Sequence, residues 1–327
     1  MALAYTLADI NYLSSDKLLA GVIENIITES EILKVLKFKP LTNKALVYNR
    51  ELTNPTAAFT DRGATLTSST VTFSEVTVTL KQLYSQVEVD QFDVATRSDT
   101  NDPEAIAVTQ ASKEVGRLFD RKFIYGNATT HSTEFDGLHA LVSTSSPDMT
   151  VTCASAATTP GGLTITKFFE FVDRIQPGRP DCIIMNRTVR RLLSLWAQGT
   201  GSNLFQSSIE KGLGHVVHHW DGIPIIINDW ITNEELLSGS AFSTETGGSG
   251  TGAGGVSTSC FAVKFGEAEK GVVGLDAKGG LFVDDVGLME TKNAKIKRVL
   301  WYCGLAKYGN YSLARLDGIA PATAVVI

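Results

Sequence analysis

Three of the chain's five histidines crowd one short stretch: His215, His218 and His219, with Asp221 just beyond. Imidazole and carboxylate groups bind divalent metals, and on a helix residues three and four apart would share a face. Gly212 and Gly214 precede the group and a β-like run follows it, so the residues read as polar surface at a strand end. Gly250, Gly252 and Gly255 match GxGxxG. A dinucleotide site needs that spacing after a strand and at the start of a helix, where the helix N-terminus meets the pyrophosphate. Here it sits in a low-complexity run that leads into a strand. Asp284 and Asp285 are adjacent carboxylates, but neighbours in a strand point to opposite faces and make a poor acid–base pair. No GxxxxGK[ST] phosphate loop and no GxSxG nucleophile elbow is present. The expectation is a chain with no catalytic residues, no metal and no cofactor, and no enzymatic role.

One further pattern carries charge. Lys113, Arg117 and Arg121 recur every four residues, which puts three cations in one stripe of a helix. Such a stripe is either a solvated face or a face turned toward nucleic acid or an acidic neighbour.

Composition narrows the function classes. The 327 residues suffice for about two compact domains, and 43% hydrophobic with 20% charged residues describes a globular chain. The net charge is −6, which argues against a protein whose main work is gripping nucleic acid. Cys153, Cys182, Cys260 and Cys303 lie far apart with no CxxC pair and read as reduced thiols of a cytosolic chain. The first residues lack the basic and apolar segments of a secretory signal. No apolar run reaches the ~18 residues of a membrane span. The protein is expected to be soluble.

The elements that must position these residues follow in order. Ser14 or Ser15 caps a helix from Asp16, with Leu18, Leu19, Val22, Ile23, Ile26 and Ile27 on one face, and Pro40 ends any helix continuing through Ile32 to Leu36. Ala45 to Val89 is rich in Thr and alternates apolar residues, with a change of phase between Phe73 and Val76 that predicts a bulge or a bend. It reads as a long β-hairpin with a polar tip near Asp61 to Gly63. A lone hairpin is marginal in water, so its support is expected from another subunit.

Asp102-Pro103-Glu104 starts a helix that runs to Tyr125 and stops at Gly126. Mixed α/β sequence follows from Phe135 to Ile227. A helix capped by Thr166 and the strand Asp181–Met185 come first, then a helix capped by Asn186 and the strand Gly222–Ile227, with Pro224 at an edge or end. Ser238 to Ser259 reads as a flexible loop. Strands return at Cys260 to Phe265, Val272 to Leu275, Leu281 to Asp284 and Ile296 to Tyr308.

This order of pieces resembles the major capsid proteins of tailed bacteriophages with the Hong Kong 97-like fold. Local matches are LLAGVIENIITESEIL and ALVYNRELTNPTAAF near the start and VGRLFDRKFIYGN on the long helix. PDCIIMNRTVRRLL, GIPIIINDWI, FAVKFGE and WYCGLA follow. The resemblance implies an α+β fold. Its parts are an N-terminal arm and helix (1–44), an extended hairpin or E-loop (45–89) and a P-domain with a long spine helix (90–135). The A-domain (136–271) contains the loop 238–259, strands 272–300 return to the P-domain, and 301–327 is a final A-domain strand and tail.

The implied function is self-assembly into an icosahedral shell around a double-stranded DNA genome. The chain's first partner is itself, in hexamers and pentamers. Portal, scaffold and cement proteins are further candidates, packaged DNA lies close by without specific contacts, and no membrane is involved. The place is the virion, assembled in the host cytoplasm. Candidate interface or DNA-facing residues are Phe59, Asp61 and Arg62 at the hairpin tip and Lys113, Arg117 and Arg121 on the spine helix. The tip segment PTAAFTDRGATL contains no lysine, so cross-linking through it is not expected. An encapsulin-type nanocompartment of the same fold is the first alternative, and a soluble α/β enzyme the second.

Overall fold

The computed structural model describes residues 31–97, 103–143, 148–156, 159–209, 216–236, 256–322 and Val325. The capped helix from Asp16 and the GxGxxG glycines lie outside these residues, as does His215.

Pro103 presets the first turn and Gly126 ends the last, and between them Val108, Ala111, Val115, Phe119 and Phe123 recur every three or four residues. The result is one helix, Pro103–Tyr125, about 35 Å long at ~1.5 Å per residue. Its apolar stripe is buried, with Phe119 and Phe123 fully enclosed. Phe119 sits among Trp301, Phe135, Phe123 and Phe38 at ring-centroid distances of 4.6, 5.7, 6.2 and 6.3 Å. In chain order the helices are α1 (Glu31–Val35), α2 (Gln91–Arg97), α3 (Pro103–Tyr125), α4 (Leu138–Ser143), α5 (Ile165–Asp173) and α6 (Arg187–Thr200).

The strands are β1 (Phe38–Pro40), β2 (Ala45–Thr53), β3 (Thr72–Thr79), β4 (Lys81–Asp90), β5 (Thr150–Thr152), β6 (Cys182–Met185), β7 (Phe205–Ile209) and β8 (Val216–Trp220). They continue as β9 (Ile223–Ile227), β10 (Glu235–Leu236), β11 (Val256–Val263), β12 (Val272–Asp276), β13 (Phe282–Leu288), β14 (Ala294–Lys307) and β15 (Leu313–Ile319). Among the described residues they form three sheets. A five-stranded sheet has the order β1-β12-β14-β13 with β4 on the other side of β14, and α3 packs on β4 and β14. An eight-stranded sheet has the order β5-β15-β11-β6-β9-β8-β7 with β10 on β11. The third is the hairpin β2–β3.

A single apolar cluster runs from α3 through both large sheets. In the eight-stranded sheet Trp220 collects Phe168 of α5 at 4.8 Å and Trp196 of α6 at 5.9 Å. Among the described residues no helix is long and apolar enough to cross a membrane. All four cysteines are free thiols.

Several expectations change here. The segment 45–89 is not one hairpin: β3 ends at Thr79, and β4 leaves to pair with β14 from Cys303↔Lys81 to Ala294↔Asp90. No bulge interrupts β3, because Phe73 simply faces the side opposite Val76 and Val78. The irregularity lies across the ladder, between Glu51 and Thr53. Pro40 ends strand β1, and helix α1 already stops at Val35. Thr164 rather than Thr166 stands at the N-cap position of α5, and its side chain makes no capping hydrogen bond. The expected boundary at 300/301 falls inside the unbroken strand β14.

The expected loop 238–259 overlaps β11, whose Ser257, Thr258 and Ser259 are buried. Small hydroxylated residues tolerate that burial because each finds a partner. Ser257 Oγ donates to Glu235 O, Ser259 Oγ donates to Glu235 Oε1, and Thr258 Oγ1 accepts from Asn186. Asn186 caps α6 as its type predicts, accepting from Val189 N at 2.9 Å. Pro224 stands at the start of β9, an interior strand, where its missing N–H costs little.

Candidate assembly interface

Alternation in β2 and β3 gives the hairpin two unlike faces. Leu46, Tyr48, Arg50, Val76 and Val78 are half-buried against the body, whereas Val47 and Phe73 point outward and are 54% and 67% exposed. The expected support from a neighbour is therefore not needed at the base, which rests on its own chain. Tyr48 Oη donates to the Lys307 carbonyl at 2.6 Å, and Arg50 Nη2 donates to the same oxygen at 2.7 Å. Arg50 Nη1 donates to Asn310 Oδ1 at 2.9 Å. The Tyr48 ring lies 4.9 Å from that of Tyr308.

Beyond Thr53 and Thr72 the two chains separate into a loop, residues 54–71, that is exposed throughout. A turn at Asp61 to Ala64, with Gly63 at φ 89°, reverses it, and only glycine adopts that φ without strain. Phe59 is fully exposed and Leu66 is 77% exposed. Asp61 and Arg62 flank the reversal, also exposed. Single exposed apolar residues are ordinary, but here two large apolar side chains stand in water on the same loop.

On α3, Arg117 is exposed and pairs with Glu114 at 3.7 Å, while Lys113 and Arg121 are half-buried. The six expected residues thus occupy two elements, three in the tip loop and three along α3. Periodicity did not reveal the ion pairs that fix α3 to the sheet. Glu104 meets Lys297 at 2.9 Å and Lys295 at 3.3 Å, both on β14. Burial pushes the Glu104 carboxyl up, but the two lysines outweigh it and hold it below its ordinary range.

A second buried group joins α3 to the eight-stranded sheet. Glu235, 2% exposed, accepts from Tyr125 at 2.5 Å and Ser259 at 2.7 Å, and its other oxygen meets Arg315 at 3.0 Å. Burial first, then the Glu235 charge, raises the Tyr125 phenol well above its usual value. Burial, then the Arg315 charge, takes His139 down to about 3, so it is neutral at physiological pH.

Residues that suggested chemistry are dispersed. His218 stacks on Phe205 and accepts from Arg190 at 3.1 Å, His219 faces the other side of β8, and Asp221 pairs with Arg179 at 2.9 Å. Among the described residues no group of three His, Cys, Asp or Glu side chains is placed to hold a metal. Asp285 faces Lys297 at 3.8 Å, and Asp284 lies on the opposite face of β13.

Comparison with known proteins identifies the family. A model of the phage capsid family matches residues 11–244. The chain belongs to the phage capsid family. It is a major capsid protein, a subunit that forms an icosahedral shell with copies of itself. Solved structures agree on the Hong Kong 97-like fold. The SrpI encapsulin of Synechococcus elongatus is 16% identical, with 99% of each chain covered and a TM-score of 0.66. The capsid of cyanophage A-1(L) is 11% identical over 88% of this chain and 92% of that one, TM-score 0.63. The capsid of a native GTA particle is 13% identical over 88% and 90%, TM-score 0.61. No curated protein matches the chain.

Proposed function

We propose that this capsid protein builds the head of a virion around double-stranded DNA and does so through complementary surfaces alone, without catalysis. The observation that carries the reading is the hairpin. Its base is pinned to its own subunit while its tip, with Phe59 and Leu66, is uncovered. A projecting, uncovered tip fits a heterologous contact, in which a different patch of the next copy receives it. Stability then accumulates over many interfaces. Phe59, Asp61 and Arg62 are the proposed contacts on the hairpin.

Lys113, Arg117 and Arg121 are proposed to meet acidic groups of the next subunit, which a chain of net charge −6 supplies in excess. Melting of empty and DNA-filled particles carrying Arg117→Glu tests this. Subunit pairing destabilises both, whereas DNA contact destabilises only filled heads and depends steeply on salt. The proposed division is an arm (1–44), an E-loop ending at Thr79, a P-domain built on α3 and the five-stranded sheet, and an A-domain built on the eight-stranded sheet. Assembly proceeds in the host cytoplasm, with portal, scaffold or cement proteins as further partners.

A second reading, a nanocompartment, is favoured by one observation: the encapsulin match spans 99% of both chains. Electron microscopy of the purified protein, with analysis of what its particles enclose, separates the two. Nuclease-protected DNA supports the virion and a protein cargo supports the compartment. A small oligomer that forms no particles under any condition overturns both.

A further inference from the structure

Beneath the hairpin base lies a cavity of about 240 Å³, roofed by Tyr48 and Arg50 and floored by residues of the body that include Lys81, Asp136 and Lys307. Its charged lining is unbalanced: Arg50, Lys81 and Lys307 against Asp136, three positive minus one negative, or +2. Asp136 already accepts from Ala128 N at 2.8 Å. Lys307 is only 3% exposed, and its ammonium donates to the Leu141 carbonyl. Arg50 uses both terminal nitrogens on the Lys307 carbonyl and Asn310, but its Nε is buried with no hydrogen-bond partner among the described residues.

A lining with two more cations than acids favours an anion, which offsets the charge of Arg50 and Lys307 together. We propose that this cavity binds a free tetrahedral oxyanion, inorganic phosphate or sulfate, between Arg50 of the hairpin and Lys307 of the body. A guanidinium offers directed N–H groups to such an ion and an ammonium offers a compact charge. The volume equals roughly eight waters at about 30 Å³ each, which suits a hydrated ion and not a polymer strand. Burial, then the charge of Arg50, lowers the Lys307 amine to about 8, in keeping with two cations that line one pocket. An ion held there ties hairpin to body and so couples the hairpin's pose to the anion content of the medium.

The test is thermal unfolding of the full chain in phosphate, sulfate or chloride at matched ionic strength, together with the ³¹P line width of phosphate. The wild type should gain melting temperature with each tenfold rise in phosphate above the dissociation constant, and the ³¹P line should broaden. Arg50→Gln should lose both responses and Lys307→Met should lose them or fail to fold, in which case Arg50→Gln decides. Tyr48→Phe loosens the same contact but keeps both charges, so it should keep the phosphate response. An equal gain in chloride, an undiminished gain in Arg50→Gln, or no gain in the wild type overturns the proposal; the second of these means an adventitious ion only.

Discussion

Strands β3 and β4 are separated by one residue, Leu80, and share an alternation of inner and outer residues, yet they live in different surroundings. β4 lies under α3 and is paired with β14 at ten positions, and Val89 is buried. β3 pairs only with β2, and its Phe73 stands in water. Alternation therefore specifies that a strand has an inner and an outer face. It does not specify what lies against the inner face or whether anything covers the outer one.

Substitutions can break or sharpen this contrast. The largest effect belongs to the body: Phe119→Ala empties the middle of the aromatic cluster and should cost about 3–5 kcal/mol in denaturant unfolding. A cost below about 1 kcal/mol would place the centre of the core elsewhere. Next is Glu235→Ala, which leaves the half-buried Arg315 with Asp317 at 3.8 Å as its acidic partner among the described residues. A loss of about 3 kcal/mol is expected by the same measurement, with hairpin amides exchanging as before.

Tyr48→Phe removes the hydroxyl that donates to the Lys307 carbonyl and accepts from Arg50 Nη2, a loss of about 1–2 kcal/mol. Exchange should quicken in 45–53 and 72–79 while β4 stays protected; equal quickening in β4 would mean that hairpin and sheet open as one unit.

Smaller still is the acid dependence of Glu104. Its folded pKa lies below the unfolded value, so its contribution is present at neutral pH and is lost as pH falls through the folded value. Glu104→Gln should flatten the acid limb of the stability curve, and an unchanged limb counts against the pairing with Lys297. The least effect on folding is expected from Phe59→Ser, within about 0.5 kcal/mol in the free subunit, because the ring is fully exposed among the described residues. Its effect should appear instead as a lower yield of particles by light scattering.

What could be read beforehand follows from the same contrast. α3 was readable to the residue because Pro103 and Gly126 mark its ends and its stripe is local. The cap at Asn186 was readable for the same reason. The Tyr48 and Arg50 contacts with Lys307 were not, since they join residues 259 and 257 positions apart through a backbone carbonyl that has no side-chain signature. The first residues of β11 were hidden by composition. Ser257, Thr258 and Ser259 read as loop until Glu235 and Asn186 are known to meet them. The exposed tip was found by its turn formers, and Phe59, Asp61 and Arg62 do lie there in solvent.

The single-residue joint at Leu80 has a mechanical meaning. A tug on the hairpin is handed through Leu80 to β4, and from β4 to ten register positions along β14. The pull runs parallel to the strands, so the ladder is loaded in shear and its bonds resist together rather than unzipping in turn. β14 in turn is clamped on its far side by β13 and then by β12, which spreads the load over two more strands. The weakly covered hairpin is thereby anchored like a cable spliced lengthwise into the five-stranded sheet.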